Sequence, residues 1–145
     1  MDAPRATLLA AVVANVLGWL LTAAMDVRGW EAFVLALSPL WSFGDFADQP
    51  VWFLILIVAS ALTNVLFIAL AALLLRGRSP KAVLWTAAAA TVLNLHWVVT
   101  LGADRRYLAS GYFIWVCSFA LLAFAAYLQP VERAPASAPS ASSGA

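Results

Sequence analysis

Five polar side chains sit near the middle of otherwise apolar runs: Asn15, Thr63, Asn64, Asn94 and Ser118. In an apolar medium such amides and hydroxyls do one of two things. They hydrogen-bond one helix to another, or they hold the polar part of a ligand or ion. Burying an unpaired amide costs roughly 2–7 kcal/mol, so all five are expected to turn inward and find partners. Ala87, Ala90, Thr91, Asn94 and Val98 fall along one helical face. Small residues there permit close helix approach, and Asn94 can bond across the gap. Interhelical bonding is the first reading of these residues, and a binding point for a substrate or ion is the second.

His96 is the only histidine. It lies two residues beyond Asn94, about 200° around a helix, and so faces elsewhere. Imidazole can ligate a metal or haem iron, or exchange a proton with Asp26, Asp45 or Asp48. One histidine is a poor metal site, because zinc wants three or four protein donors and membrane haem usually wants a second axial ligand. The expectation is a hydrogen-bonded structural histidine, with no metal, no haem and no other cofactor. Asp45 and Asp48 are expected to be solvated loop acids rather than partners of His96 in acid–base chemistry. Cys117, the only cysteine, is expected to be a small buried hydrophobe. A single cysteine also removes disulfide and Cys-x-x-Cys thiol chemistry.

The elements that carry these residues are four long apolar runs, at about 6–25, 51–75, 82–101 and 111–128. Each approaches the roughly 20 apolar residues needed to cross a bilayer. Not one Asp, Glu, Lys or Arg lies inside a run, in a chain of 145 residues that is 65% hydrophobic and 10% charged. Soluble helices keep a polar face, and these runs have none. The first run exceeds the usual apolar core of a signal peptide and is expected to be retained. The net charge of +1 gives no reason to expect nucleic acid. Proton-coupled transporters keep an ionisable residue within a span. The glutamate of the small multidrug exporters and the paired aspartates of the lipoprotein signal peptidases have no counterparts here. No span contains proline, so discontinuous helices are not signalled.

Arg76, Arg78 and Lys81 crowd one short loop, and Arg5 and Arg133 fall on the same side of the membrane as that loop. Arg28, Arg105 and Arg106 lie opposite. The excess of basic residues favours cytoplasmic termini in the inner (plasma) membrane. The first outer loop, about 26–50, holds Trp30, Phe33, Val34 and Leu37 at helical spacing, with Pro39 to end the helix. Trp19, Trp30, Trp41, Trp52, Trp97 and Trp115 all fall toward that outer side, whereas Trp85 lies near the inner face. Phe33, Phe43, Phe46, Phe53, Tyr107, Tyr112 and Phe113 join the outer group. This lopsided aromatic layer is expected to pack around the first loop, or to wall a pocket for an apolar or ring-shaped ligand.

Trp19-x-x-Thr22-x-x-x-Asp26-x-Arg28 recurs as Trp97-x-x-Thr100-x-x-x-Asp104-x-Arg106. If the chain were two parallel halves, hairpins 8–70 and 86–128 would superpose. The tail at 129–145 is rich in Ala, Ser and Pro and is expected to be disordered.

The expected fold is therefore an all-α integral membrane protein. Residues 1–128 form a four-transmembrane-helix antiparallel bundle with a short interfacial helix in the first outer loop. The outline resembles tetraspan membrane proteins in general, though the loop has no cysteine for the disulfides some of them carry. The leading functional expectation is a small non-catalytic subunit or accessory protein, which packs in the lipid bilayer against a membrane-protein partner or as a homo-oligomer. The alternative is a transporter or binder of a small apolar or weakly polar ligand, held among Asn15, Asn64, Asn94 and His96 beneath the first loop. An enzyme with acid–base chemistry on the outer face comes third.

Overall fold

The structure, a computed structural model, describes residues 2–129. The expected tail, beyond Gln129, lies outside the described residues. Four helical segments are long and apolar enough to cross a membrane. They are α1 (Ala3–Leu20), α3 (Val51–Leu75), the pair α4 (Pro80–Asn94) and α5 (His96–Thr100), and α6 (Ser110–Tyr127). Large aliphatic side chains cover their outsides, among them Leu9, Val16, Ile55, Val65, Ile68 and Val92. A surface of that kind suits hydrocarbon rather than water. Cys117 is on this exposed surface, which corrects the expectation that it is buried.

The helix ends follow local chemistry. Asp2 caps α1, its carboxylate accepting from the Arg5 amide at 3.4 Å. Pro4 and Pro80 sit in the first turns of α1 and α4, where a missing N–H costs nothing. The α3 terminus closes with paired bonds from Gly77 N–H to the Leu74 carbonyl and from Arg78 N–H to the Leu73 carbonyl, both 3.0 Å. Gly77 has φ +65, the left-handed geometry that this closure demands.

The packing order is α1, α6, α4, α3, with α6 as the hub. Along α1 the inward positions are Leu8, Ala11, Asn15 and Gly18, at alternating spacings of three and four. Ala87, Ala90 and Asn94 form the buried stripe of α4. Below the polar layer, Phe67 and Phe119 meet edge to face at 5.2 Å in a core shared with Leu8, Leu74, Val83 and Leu122. The two hairpins do not pack alike. The helices α4 and α6 lie close together, whereas α1 and α3 scarcely approach each other. This mismatched order does not fit two parallel halves built on the recurring Trp-Thr-Asp-Arg spacing.

Three further features depart from the sequence reading. First, α1 stops at Leu20, five residues short of the apolar run. The chain turns extended to form β1 (Thr22–Ala24), which pairs with β2 (Val27–Arg28) across a turn at Met25 and Asp26. The other side of β1 bonds to the segment before α6, with Met25 N–H to Tyr107 O at 2.9 Å and Ala109 N–H to Ala23 O at 2.8 Å. The two loops at this end are thus stitched together by backbone.

Second, the loop helix α2 (Gly29–Leu37) is present, but its inward face is displaced by one residue. Gly29, Ala32, Phe33 and Ala36 turn inward, while Trp30 and Val34 are exposed at 46% and 47%. Third, the third span is interrupted at Leu95 without proline. The interruption sits beside two side-chain bonds to carbonyls. His96 Nδ1 bonds to Leu93 O at 2.6 Å, and the Tyr112 hydroxyl donates to Asn94 O at 2.6 Å.

Glycine permits the close approaches at this end. A Cβ on Gly18 would lie 2.6 Å from Trp115 Cβ. One on Gly111 would lie 2.5 Å from the Thr22 carbonyl oxygen. One on Gly29 would collide with the Gly18 carbonyl and sit 2.8 Å from Trp19 Cα. The obstacles at Gly29 are backbone atoms, which cannot swing aside. Gly29→Ala is therefore expected to destabilise the protein by about 1–3 kcal/mol through overpacking, read as a lower melting temperature in detergent. Gly44→Ala, where a Cβ meets open space, is expected to leave the melting temperature nearly unchanged.

Candidate functional site

Two hydrogen-bond clusters occupy the bundle interior at the depth of the mid-run polar residues. The first centres on Asn94, which is fully buried. Its Oδ1 accepts from the Ser60 hydroxyl at 2.8 Å, and its Nδ2 donates to Thr63 Oγ1 at 3.0 Å. The Thr63 hydroxyl donates to Ser60 O at 2.6 Å, and Trp97 Nε1 donates to Ser60 Oγ at 3.3 Å. With the Tyr112 bond to the Asn94 carbonyl, this cluster joins three spans.

The second centres on Asn64. Its Oδ1 accepts two indole N–H groups, from Trp19 at 3.0 Å and from Trp115 at 2.7 Å. Its Nδ2 donates to Ala61 O at 3.1 Å. A carbonyl oxygen has two lone pairs, and both are engaged here. The Trp19 bond is the main polar link between α1 and α3, which otherwise stand apart. One turn further from the loops, Asn15 Nδ2 donates to Ser118 Oγ at 3.0 Å, and the Ser118 hydroxyl donates to Trp115 O at 2.6 Å.

Above Asn64 and Ser60 lies a cavity of about 480 Å³. Its deep wall is Ile57, Ser60, Ala61 and Asn64 on α3. Trp19, Trp97, Tyr112 and Trp115 form the sides. The turn from Ala23 to Val27 and the inward face of α2 form the roof, with Phe33 tilted against Trp19 at a centroid distance of 5.1 Å. Asp104, Tyr107 and Leu108 line it from the second loop. The volume falls within the range of small-molecule sites, which are concave, mostly apolar and sparsely polar. The polar groups of the deep wall already bond within the protein. The space therefore presents apolar and aromatic surface, and an occupant has few hydrogen bonds to satisfy.

The structure divides the six tryptophans other than Trp85 into two sets. Trp19, Trp97 and Trp115 line the cavity and donate their indole N–H groups inward. Trp30, Trp41 and Trp52 are exposed at 46%, 62% and 58%. That position suits the headgroup level of a bilayer, where an indole meets both apolar and polar neighbours. Of the mid-run polar residues, Asn64 lines the cavity. Thr63 and Asn94 stand behind its wall, while Asn15 and Ser118 bond to each other between α1 and α6.

His96 is not a cavity residue. A carbonyl only accepts, so Nδ1 carries the proton given to Leu93 O. Its Nε2 is buried and has no partner among the described residues. The ring lies against Trp97 at 4.8 Å. No carboxylate among the described residues reaches it, nor is there a group of three or more potential metal-ligating side chains. Ser60 and the glycines at 29 and 111 were not singled out from sequence, and Tyr112 was placed only within the aromatic layer. Ser60 could have been found, since it precedes Thr63 and Asn64 on one helix by three and four residues.

Asn64→Leu leaves two indole N–H groups without their acceptor, at about 1–3 kcal/mol for each that stays dry. The expected outcome is a loss of roughly 2–4 kcal/mol in stability, measured by unfolding in detergent, with a changed tryptophan emission spectrum. Asn15→Leu strands no indole and is expected to cost less in the same assay. Comparison with known proteins gives no match, whether to a family model, a curated protein or a solved structure.

Proposed function

We propose that this multi-pass membrane protein is a non-catalytic binder of a lipid-soluble, largely apolar small molecule. The ligand occupies the aromatic cavity beneath the first loop. In this reading the termini are cytoplasmic, the cavity lies in the outer half of the inner membrane, and α2 rests at the interface as its lid. The observation that carries the proposal is the cavity of about 480 Å³ itself, walled by three tryptophans. A concavity of that size lined by aromatic and apolar side chains has the dimensions and lining of a small-molecule site.

Two features indicate how a ligand enters. The consecutive spans α1 and α3 barely touch, so their seam faces the lipid beside the cavity. Trp19 bridges that seam through one hydrogen bond to Asn64, which is weak enough to open. Partitioning into the bilayer concentrates an apolar ligand where the seam can admit it. The interior polar clusters act as interhelical bonds that hold the walls apart. The accessory-subunit reading, placed first from sequence, draws no comparable support. Exposed apolar residues occur on α1, α3, α4 and α6, as lipid contact alone requires.

The test is quenching of tryptophan fluorescence by a brominated alkyl alcohol titrated into the detergent-purified protein. Saturable quenching is expected, and Ala36→Trp on the lid is expected to weaken binding about tenfold or more by filling the space. Its melting temperature should stay close to that of the wild type. Quenching that never saturates, or that is indifferent to Ala36→Trp, would count against the proposal. Asn94→Leu separates the roles of the polar clusters. It is expected to lower stability while leaving the affinity of the remaining folded protein nearly intact.

A further inference from the structure

The opposite end of the bundle carries a second concavity, of about 620 Å³, between the start of α1, the end of α3 and the start of α4. Arg5 and Lys81 stand over it, with Asp2 beside Arg5 on the rim, and Leu8, Leu74 and Leu75 make its apolar side. We propose that this bowl binds the headgroup of an anionic phospholipid, and that it does so independently of the aromatic cavity. A cationic rim at the ends of apolar spans is the arrangement that a phosphate on an acyl chain requires. The headgroup would sit between the two cations, and the chain would run down over Leu75, which is 72% exposed.

Charge complementarity supports that occupant. Among the described residues, Arg5, Arg76, Arg78 and Lys81 cluster at this end, and Asp2 is the single acid there. Asp2 lies 3.9 Å from Arg5, and no ion pair engages Lys81 among the described residues. The first turn of α4 adds to the attraction. Its N-cap residue, Ser79, is in the left-handed region and makes no side-chain capping bond. Pro80 has no N–H and that of Val83 bonds to Ser79 O at 3.0 Å, so Lys81 and Ala82 supply the free N–H groups at this positive helix end. Gln129 closes the far side, its Nε2 donating to the Leu74 carbonyl at 3.1 Å. Basic pockets between transmembrane helices are a known type of anionic-lipid site.

The experiment is native mass spectrometry of the full chain after exchange into detergent micelles. The micelles are doped either with phosphatidylglycerol or with phosphatidylcholine. Retention of phosphatidylglycerol over phosphatidylcholine is expected. The Arg5→Gln/Lys81→Gln double variant is expected to lose roughly 30-fold in that preference, since each surface cation near anionic lipid contributes about a five-fold factor. Arg28→Gln/Arg105→Gln, at the other end, is expected to retain it. Equal losses in both double variants would overturn the proposal, as would no loss in the first. Displacement of the lipid by millimolar inorganic phosphate would assign the bowl to free phosphate instead. Loss of dimers rather than of lipid would assign it to a second copy of the chain. Both substituted side chains are exposed, and circular dichroism of each variant confirms that the comparison is between folded proteins.

Discussion

Hydrocarbon offers no hydrogen bonds, and much of the interior answers that constraint. Every span carries at least one amide or hydroxyl at mid-depth, and each of these is paired with a neighbour. The pairings are selective as well as favourable. Asn64 can accept two indoles only if α1, α3 and α6 present Trp19, Asn64 and Trp115 at one level. Asn94 can bond Ser60, Thr63 and Tyr112 only if α4 lies between α3 and α6. Between apolar rods that slide and rotate with little penalty, these bonds fix depth and rotation.

Small residues set the second constraint, which is distance. Gly18 on α1 and Gly111 on α6 let two helices and an extended strand meet backbone to backbone. Gly29 brings the first turn of α2 onto the same point. The loop end is therefore pinned at one corner, beside α1 and α6. Beside it, between α1 and α3, nothing equivalent draws the helices together, and the same three glycines line the space that is left. The cavity forms there, with α2 spanning the gap as a roof. One asymmetric packing order thus sets a tight contact and an open space side by side, and aromatic side chains of α1, α5 and α6 wall the open space.

The interruption at Leu95 belongs to the same arrangement. Two carbonyls beside it, at Leu93 and Asn94, take bonds from a histidine and a tyrosine. Just beyond it Trp97 lines the cavity, where its indole reaches Ser60. His96 thereby acquires a structural task that accounts for Nδ1 and leaves Nε2 without a partner among the described residues.

Much of this was legible in the chain. Apolar run length located the four spans to within a few residues, apart from the end of the first, because a run without charges has few ways to be dissolved. Helical spacing located α2, and the mid-run positions of Asn15, Asn64 and Asn94 identified them as interior polar groups. What sequence could not determine was everything that needed a neighbour. Leu21–Ala24 reads as helix until the segment around Leu108 offers it a backbone partner. A tryptophan near the end of a span reads as an interface anchor, and only the rotation of its helix separates Trp19, Trp97 and Trp115 from Trp52. Periodicity records which residues share a face, but it carries no information about what that face meets. The order of the helices around α6, and with it the cavity, was decided by contacts between segments far apart in the chain.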